Sequence, residues 1–377
     1  MVAQRVRTVE ISGIRRMFDS APPNAINLGL GEPDFEPPPE VIDAMCAAIR
    51  DGQNHYGPSA GLAALRDKVA ERYRDRDPRT GRENVIVTGS GSEALMAAAL
   101  TLYDPGCEVL VPNPGFVLYG PDARLMGATP VPYSLTPRRK YLPDLEELER
   151  LVSPRTRAIV VNSPSNPTGG VFPERTVEAI VEFADRHHLT IVSDEVYDEI
   201  VYEGKFASFW GRTDRVVIVN SFSKTLAMTG WRIGFLVAPR AIALDLNKMH
   251  YHIMACPPTP AQVAIVAGLS NGDSTLRSMV REFRTRREMV VRLLRRIPGI
   301  SVVPPAGAFY AFPSFAWPHA SQDVATALLR RGVITTPGDA FGTLGAGHLR
   351  LSFAASRSNI ERGLGIVREF AVEQGAG

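Results

Sequence analysis

From about residue 60 to residue 240, apolar β-branched runs alternate with helical patterns, and this alternation restricts the fold more than any other feature. The predicted strands are Asn84–Thr88, Glu108–Val111, Ala158–Asn162, Thr190–Ser193, Val216–Asn220 and Gly234–Ala238. Helical patterns such as Leu62–Tyr73, Ser92–Tyr103 and Glu174–Arg186 fall among them. Strands that read as unbroken Val/Ile runs suit a mostly parallel sheet covered on both faces. The expected fold class is therefore α/β, a three-layer α/β/α large domain. After about Asp273 the pattern changes. A long helix leads to short strand-like segments at Val302–Pro313, Val333–Thr336 and His348–Phe353. These fit a smaller α+β domain that the N-terminal residues join. The expected division is 1–48 (N-terminal arm and part of the small domain), 49–272 (large domain) and 273–377 (small domain). A chain of 377 residues is long enough for both.

Composition excludes several function classes. The chain is 45% hydrophobic and 22% charged, as in an ordinary soluble globular protein, and its net charge of +2 favours no charged partner. The most basic stretch, Arg277 to Arg296, carries Leu276, Met279, Val280, Phe283, Val290 and Leu294 at roughly helical spacing. It reads as an amphipathic helix with a solvated basic face, not as a nucleic-acid surface. Cys46, Cys107 and Cys256 show no metal-ligand spacing and are expected as buried free thiols. Met1–Ile14 lacks an apolar core of signal-peptide length, and no segment approaches a membrane span. The expectation is a cytoplasmic protein with no nucleic-acid, membrane or metal partner.

Polar residues cluster just after the predicted strand ends, at Gly89–Glu93, Asn162–Thr168, Asp194 and Ser221–Lys224. In open α/β sheets ligands bind at the carboxyl ends of the strands, so these segments should converge on one crevice. Ser221, Ser223 and Arg232 have the chemistry to hold a phosphate dianion, the arginine as a planar fork and the serines as hydroxyl donors. Lys224 beside such a clamp can form a Schiff base with a phosphate-bearing aldehyde, which is how pyridoxal phosphate is anchored. Taken alone, its plainer reading is a solvated lysine at a strand end. The turn Thr88–Glu93, with Ser90, Gly91 and Ser92, opens a helix and offers amides to an anion, but has no lysine for nucleotide phosphates.

Four more residues have a functional and a plainer reading. Asp194 ends a buried strand, as a helix cap, a salt bridge or a partner for a pyridine nitrogen. Tyr197 is a packed aromatic or a donor to a ring oxygen. Asn166 lies in a turn dense in Asn, Pro and Gly, held extended before Pro167, and is either a loop residue or a second donor to that oxygen. Arg350 alternates with apolar neighbours in His348–Phe353. A buried arginine there needs an anionic partner, either an internal carboxylate or the carboxylate of a substrate.

Together these segments resemble the class I/II aminotransferases of the fold-type I pyridoxal-phosphate enzymes. The resemblance runs from Ile26–Phe35 to the Arg350 strand and rests on Asn166-Pro167-Thr168-Gly169, Asp194-Glu195-Val196-Tyr197 and Ser221-Phe222-Ser223-Lys224. His55-Tyr56-Gly57-Pro58 and Met228–Arg232 are most similar to the Iγ aspartate and aromatic aminotransferases. The resemblance implies pyridoxal 5'-phosphate as cofactor, with Lys224 as Schiff-base lysine and proton shuttle and Asp194 on the pyridine nitrogen. It implies Tyr197 and Asn166 on the ring oxygen, and Ser90 to Ser92, Ser221, Ser223 and Arg232 on the phosphate. Phe116 matches the aromatic stacked on the ring. Gly31 and Arg350 match the substrate α-carboxylate site, to which Asn166 also belongs. Tyr56 would reach the phosphate of a neighbouring subunit, which makes the active unit a homodimer with shared sites. Where relatives vary with side-chain preference, Lys248–Cys256 holds no arginine to pair with a dicarboxylate, which argues against strict aspartate specificity.

The implied reaction is transamination between an amino acid, such as aspartate or an aromatic one, and a 2-oxo acid such as 2-oxoglutarate. A C–S β-lyase or an aminocyclopropane carboxylate synthase-like enzyme would share the lysine constellation. A regulator built on this fold would need an N-terminal helix-turn-helix domain, for which the sequence leaves no stretch.

Overall fold

The computed structural model describes residues 2–9, 21–270 and 274–375. At its centre lies a seven-stranded sheet: β1 (Val85–Thr88), β2 (Glu108–Asn113), β3 (Thr129–Ser134), β4 (Thr156–Asn162), β5 (Thr190–Asp194), β6 (Val216–Ser221) and β7 (Gly234–Val237). Its order is β1-β7-β6-β5-β4-β2-β3. All pairs are parallel except those of β7, which runs against both β1 and β6. Every residue of β1, β2, β5 (past its first), β6 and β7 is buried, as unbroken apolar runs require. One apolar cluster, with Leu65, Val69, Ile180, Phe183 and Phe235, covers one face of the sheet. A second, built on Ala94, Ala97, Ala98, Ala243 and Leu246, covers the other.

The expected strands and helices of the large sheet occur with ends shifted by a residue or two, whereas of the expected segment Val302–Pro313 only Tyr310–Ala311 is strand. The sequence pattern did not signal β3, whose segment Thr-Pro-Val-Pro-Tyr-Ser carries two prolines. Proline removes a ladder donor, and β3 tolerates both because it is an edge strand. Helices Pro39–Arg50, Arg240–Met254 and Thr259–Ser270 were likewise not foreseen. Pro39–Arg50 packs on Thr259–Ser270, where Gly268 faces Val41 so closely that a Cβ would come within 2.6 Å.

The remaining elements form small sheets. Ile26–Asn27 pairs in parallel with Val333–Ile334, which ties the N-terminal segment to the C-terminal elements. Leu349–Ser352 pairs antiparallel with both Tyr310–Ala311 and Thr336–Pro337. These strands share a core with helices Ser274–Leu294 and Arg357–Glu373 through Phe283, Phe309, Leu351 and Val367. The expected division after residue 272 falls among residues 271–273, outside those described.

Two expectations need correction. The basic face of helix Ser274–Leu294 is not wholly solvated, because Arg286 and Arg287 are buried. Arg286 donates to Asp34 at 2.5 Å and to Glu282 at 2.9 Å, stacked on Phe35 and Phe283. Arg287 donates to the Pro305 carbonyl at 2.6 Å and pairs with Glu203. Their long stems cover apolar surface while the guanidinium groups meet acceptors. The three cysteines are free, but only Cys107 is buried; Cys46 is exposed and Cys256 half-buried. Among the described residues no helix is long and apolar enough to cross a membrane.

Candidate active site

The strand ends converge as the topology requires. A cavity of about 250 Å³ is lined by Gly31, Ser90, Gly91, Ser92, Phe116, Asn166, Asp194, Tyr197, Ser221, Ser223, Lys224, Arg232 and Arg350, together with Leu30, Val196, Thr229 and Tyr310. Of the sequence-predicted site residues only Tyr56 lies outside it. Tyr56 is 93% exposed on the loop that precedes Gly57-Pro58.

One end of the cavity is built for an anion. Helix Gly91–Leu102 starts there, and its cap is made by Ser90, whose Oγ accepts from the Glu93 amide at 3.0 Å. Glu93 in turn accepts from the Gly89 amide at 3.0 Å, a reciprocal arrangement close to a capping box. The amides of Gly91 and Ser92, in the first turn, have no acceptor within the helix. The antiparallel strand β7 presses on this turn. A Cβ on Gly234 would stand 2.5 Å from the Ser90 carbonyl carbon, so only glycine fits. Arg232 follows with a left-handed backbone, φ 62°, and donates to the Thr229 carbonyl at 2.8 Å. A non-glycine residue held there marks a constraint imposed by its surroundings. Ser221 Oγ lies 3.0 Å from the Ile233 carbonyl and 2.8 Å from Ser223 Oγ. It has one proton to give; when the carbonyl, which can only accept, takes it, the contact with Ser223 is made by the Ser223 proton.

The cavity also holds a buried carboxylate. Asp194 is the last residue of β5, and its Oδ2 accepts from the Tyr119 hydroxyl at 2.6 Å. Its pKa is pushed up to about 6, mainly by burial, while the hydrogen bonds from Tyr119 and the Val196 amide pull the other way. Asp194 closes no salt bridge among the described residues, and a cationic ring nitrogen would relieve its burial. Nothing in the sequence sets Tyr119 apart. A buried aromatic looks like core until the fold puts it against a carboxylate.

Lys224 lines the same cavity, in the single-turn helix Phe222–Thr225 after β6. Its Nζ donates to the Gly31 carbonyl at 2.6 Å. Its pKa is lowered to about 8, first by burial, with Glu32 opposing and Arg350 and Arg232 assisting. Phe116 packs edge-on against Tyr119, at 5.7 Å between ring centroids.

The third side is the Arg350 corner. Arg350 is 2% exposed, and no carboxylate among the described residues pairs with it, so the internal salt bridge is ruled out there. Its guanidinium donates to Asn166 Oδ1 at 3.0 Å, to the Gly29 carbonyl and to Thr336 Oγ1 at 3.3 Å. Its central carbon lies over the rings of Tyr310 and Phe341, 4.6 and 4.9 Å from their centroids. Tyr197 OH lies 2.8 Å from Tyr310 OH. Segment Lys248–Cys256 does not line the cavity. It ends helix Arg240–Met254, where buried His250 bridges Glu93 Oε1 at 3.1 Å and the Ser59 carbonyl at 2.9 Å.

A twisted, mostly parallel sheet with a lysine, an anion cradle and a buried carboxylate at its strand ends defines a cofactor-binding enzyme. Residues 23–367 match the family described as aminotransferase class I and II, and the chain belongs to that family. It is 39% identical to the probable aspartate aminotransferase of Methanocaldococcus jannaschii, over 98% of this chain and 99% of that protein. It is 36% identical to aromatic-amino-acid aminotransferase 2 of Thermococcus litoralis, over 96% of each. The solved aspartate aminotransferase of Thermus thermophilus with maleate superposes with a TM-score of 0.93 at 32% identity, covering 98% of this chain and 99% of that one. The chain is thus a pyridoxal-phosphate-dependent aminotransferase, and the lyase alternative is not favoured.

The residues present fit that cofactor. The anion cradle suits its phosphate and the buried Asp194 its ring nitrogen, and the Lys224 amine lines the same cavity. Phe116 and Val196 supply apolar lining for a ring.

Proposed function

We propose that this enzyme moves the amino group between an L-amino acid, aspartate, aromatic or similar, and a 2-oxo acid such as 2-oxoglutarate. The observation that carries the assignment of roles is that Lys224, Asp194, Arg232 and Arg350 share one cavity. Bound there, pyridoxal phosphate supplies an electron sink for the charge that develops at the substrate Cα. Lys224 anchors the cofactor, takes the Cα proton and returns it. Its lowered pKa of about 8 keeps a useful fraction of the amine neutral near neutral pH and most of it neutral above 8. Asp194 as carboxylate holds the proton on the ring nitrogen. Arg350 fixes the amide of Asn166 by taking its Oδ1, which leaves the Nδ2 protons for the ring oxygen beside Tyr197. Arg350 and the backbone at Gly31 receive the substrate α-carboxylate. The Gly91 and Ser92 amides, the Ser90, Ser92, Ser221 and Ser223 hydroxyls and Arg232 hold the phosphate, and Phe116 covers the ring.

Relatives named for aspartate and for aromatic amino acids support this donor class. A screen of the twenty amino acids against 2-oxoglutarate tests it. We expect glutamate formation with several donors. Release of ammonia with no glutamate would move the enzyme to the lyases.

The same reading makes Tyr56, exposed in the isolated chain, a phosphate ligand for a second subunit in a homodimer. Mixing inactive Lys224→Ala subunits with a weakened Tyr56→Phe variant should restore activity above either parent after subunit exchange; a mixture no better than its parents speaks against sharing. We also take the chain as cytoplasmic, and as divided into 1–48, 49–272 and 273–377.

A further inference from the structure

Tyr310 has no part in the roles assigned so far, yet it touches three of the groups that do. It is 1% exposed, on the short strand Tyr310–Ala311, opposite Ser352 in the strand that carries Arg350. The Arg350 guanidinium carbon stands 4.6 Å from its ring centroid. Its hydroxyl lies 2.8 Å from the Tyr197 hydroxyl. On the third side is Gly31, so close that a Cβ there would come within 1.8 Å of the Tyr310 oxygen. The side chain is therefore wedged between the carboxylate corner and the ring-oxygen donor.

We propose that Tyr310 is a positioning residue with two separable actions: its ring fixes the plane of Arg350 for the substrate carboxylate, and its hydroxyl donates to Tyr197, directing the Tyr197 proton to the cofactor ring oxygen. This rests on the roles proposed for Arg350 and Tyr197. The first action follows from guanidinium geometry. All five N–H donors lie in the guanidinium plane. The rings of Tyr310 and Phe341, 4.6 and 4.9 Å from its central carbon, confine that plane but use none of the donors. The bonds to Asn166, Gly29 and Thr336 then fix rotation within it. The second action follows from counting protons. Each phenol has one to give, so if Tyr197 gives its own to the cofactor, the 2.8 Å contact requires Tyr310 to be the donor. A hydroxyl that accepts a hydrogen bond is polarised and becomes the stronger donor.

The test compares Tyr310→Phe, which keeps the ring and loses the hydroxyl, with Tyr310→Leu, which loses both. Two quantities are read on the cofactor-loaded enzyme, and neither is turnover. One is the pKa of the visible absorbance of the lysine-bound cofactor. The other is the Kd for 3-phenylpropionate, a carboxylic acid that cannot react. A weaker Tyr197 donor stabilises the negative ring oxygen less, so Tyr310→Phe should raise the absorbance pKa by about half a unit. Its carboxylate Kd should stay within about twofold, whereas Tyr310→Leu should raise that Kd about tenfold, the scale of a desolvated cation–π contact. Tyr197→Phe is the control and should raise the absorbance pKa further than Tyr310→Phe. If Tyr197→Phe leaves it unmoved, the reading of Tyr197 fails, and the hydroxyl action with it. If Tyr197→Phe moves it and Tyr310→Phe does not, only the present proposal is overturned. Should the leucine variant fail to fold, the phenylalanine variant decides alone: an unmoved absorbance pKa, or a Kd raised beyond about threefold, overturns it.

Discussion

The two halves of the site are built differently. The cofactor half hangs on consecutive turns at the ends of β1, β5 and β6, and most of its groups sit within three residues of a strand end. The carboxylate half is sewn from the far ends of the chain. Arg350 donates to Asn166, 184 positions away, and to the Gly29 carbonyl, 321 positions away. The first half is fixed as soon as the parallel sheet forms, because the sheet sets where each strand ends. The second exists only when the Ile26–Glu32 segment and the C-terminal strands have docked on the sheet. Failure should therefore look different on the two sides: lost chemistry at the strand ends, and lost substrate affinity at the docked corner.

The sharpest test of the first half is Lys224→Ala. It should abolish turnover and the near-visible absorbance of lysine-bound cofactor, while the protein still folds. A variant that retains both would sink the assignment.

Asp194→Asn comes next, with a loss of roughly 3–4 kcal/mol in transition-state stabilisation, as for removal of one preorganised electrostatic group. The amide cannot hold a proton on the ring nitrogen. The cofactor-free protein should respond in the opposite sense. Burial raises the Asp194 pKa from 3.8 to about 6, so stability is lost as pH rises from about 4 to 6 and the penalty persists above. Without cofactor, the asparagine variant should be the more stable at neutral pH, by at most about 3 kcal/mol, and the two proteins should converge below pH 4. Thermal melts of both apo-proteins at pH 4 and pH 7.5 give the answer; equal gaps at the two pH values would contradict it.

Arg350→Lys probes the docked corner. It should raise KM for every amino-acid donor about 30-fold, roughly 2 kcal/mol of charge-assisted hydrogen bonding, with a smaller change in kcat. A kcat defect with KM intact would erase the distinction between the halves.

Tyr119→Phe should have the smallest effect. It removes the 2.6 Å bond to Asp194 Oδ2, and so one of the influences that hold the carboxylate ionised. We expect a loss of about 1 kcal/mol in kcat, with cofactor affinity falling more steeply than in the wild type as the pH drops below 6. A loss as large as that of Asp194→Asn would mean that Tyr119 touches the reacting atoms itself.

Much of this was legible in the sequence. Unbroken Val/Ile runs require burial on both faces, so the layered sheet and its strand ends followed from local pattern, and with them the positions of Asp194, Ser221 and Lys224. The prolines of β3 hid a strand, because edge placement is a property of the sheet and not of the segment. Arg286 and Arg287 looked solvated, because helical spacing tells which side is apolar but not which carboxylates stand opposite. Tyr119 and Tyr310 carry no signal in the sequence, since an aromatic is assigned a polar partner only by the fold. Covalent chemistry and phosphate binding depend on residue types at short spacing, which a sequence carries. The orientation of Arg350, the flip of Asn166 and the Tyr197–Tyr310 contact depend on groups more than a hundred positions apart, and only packing of the chain against itself decides those.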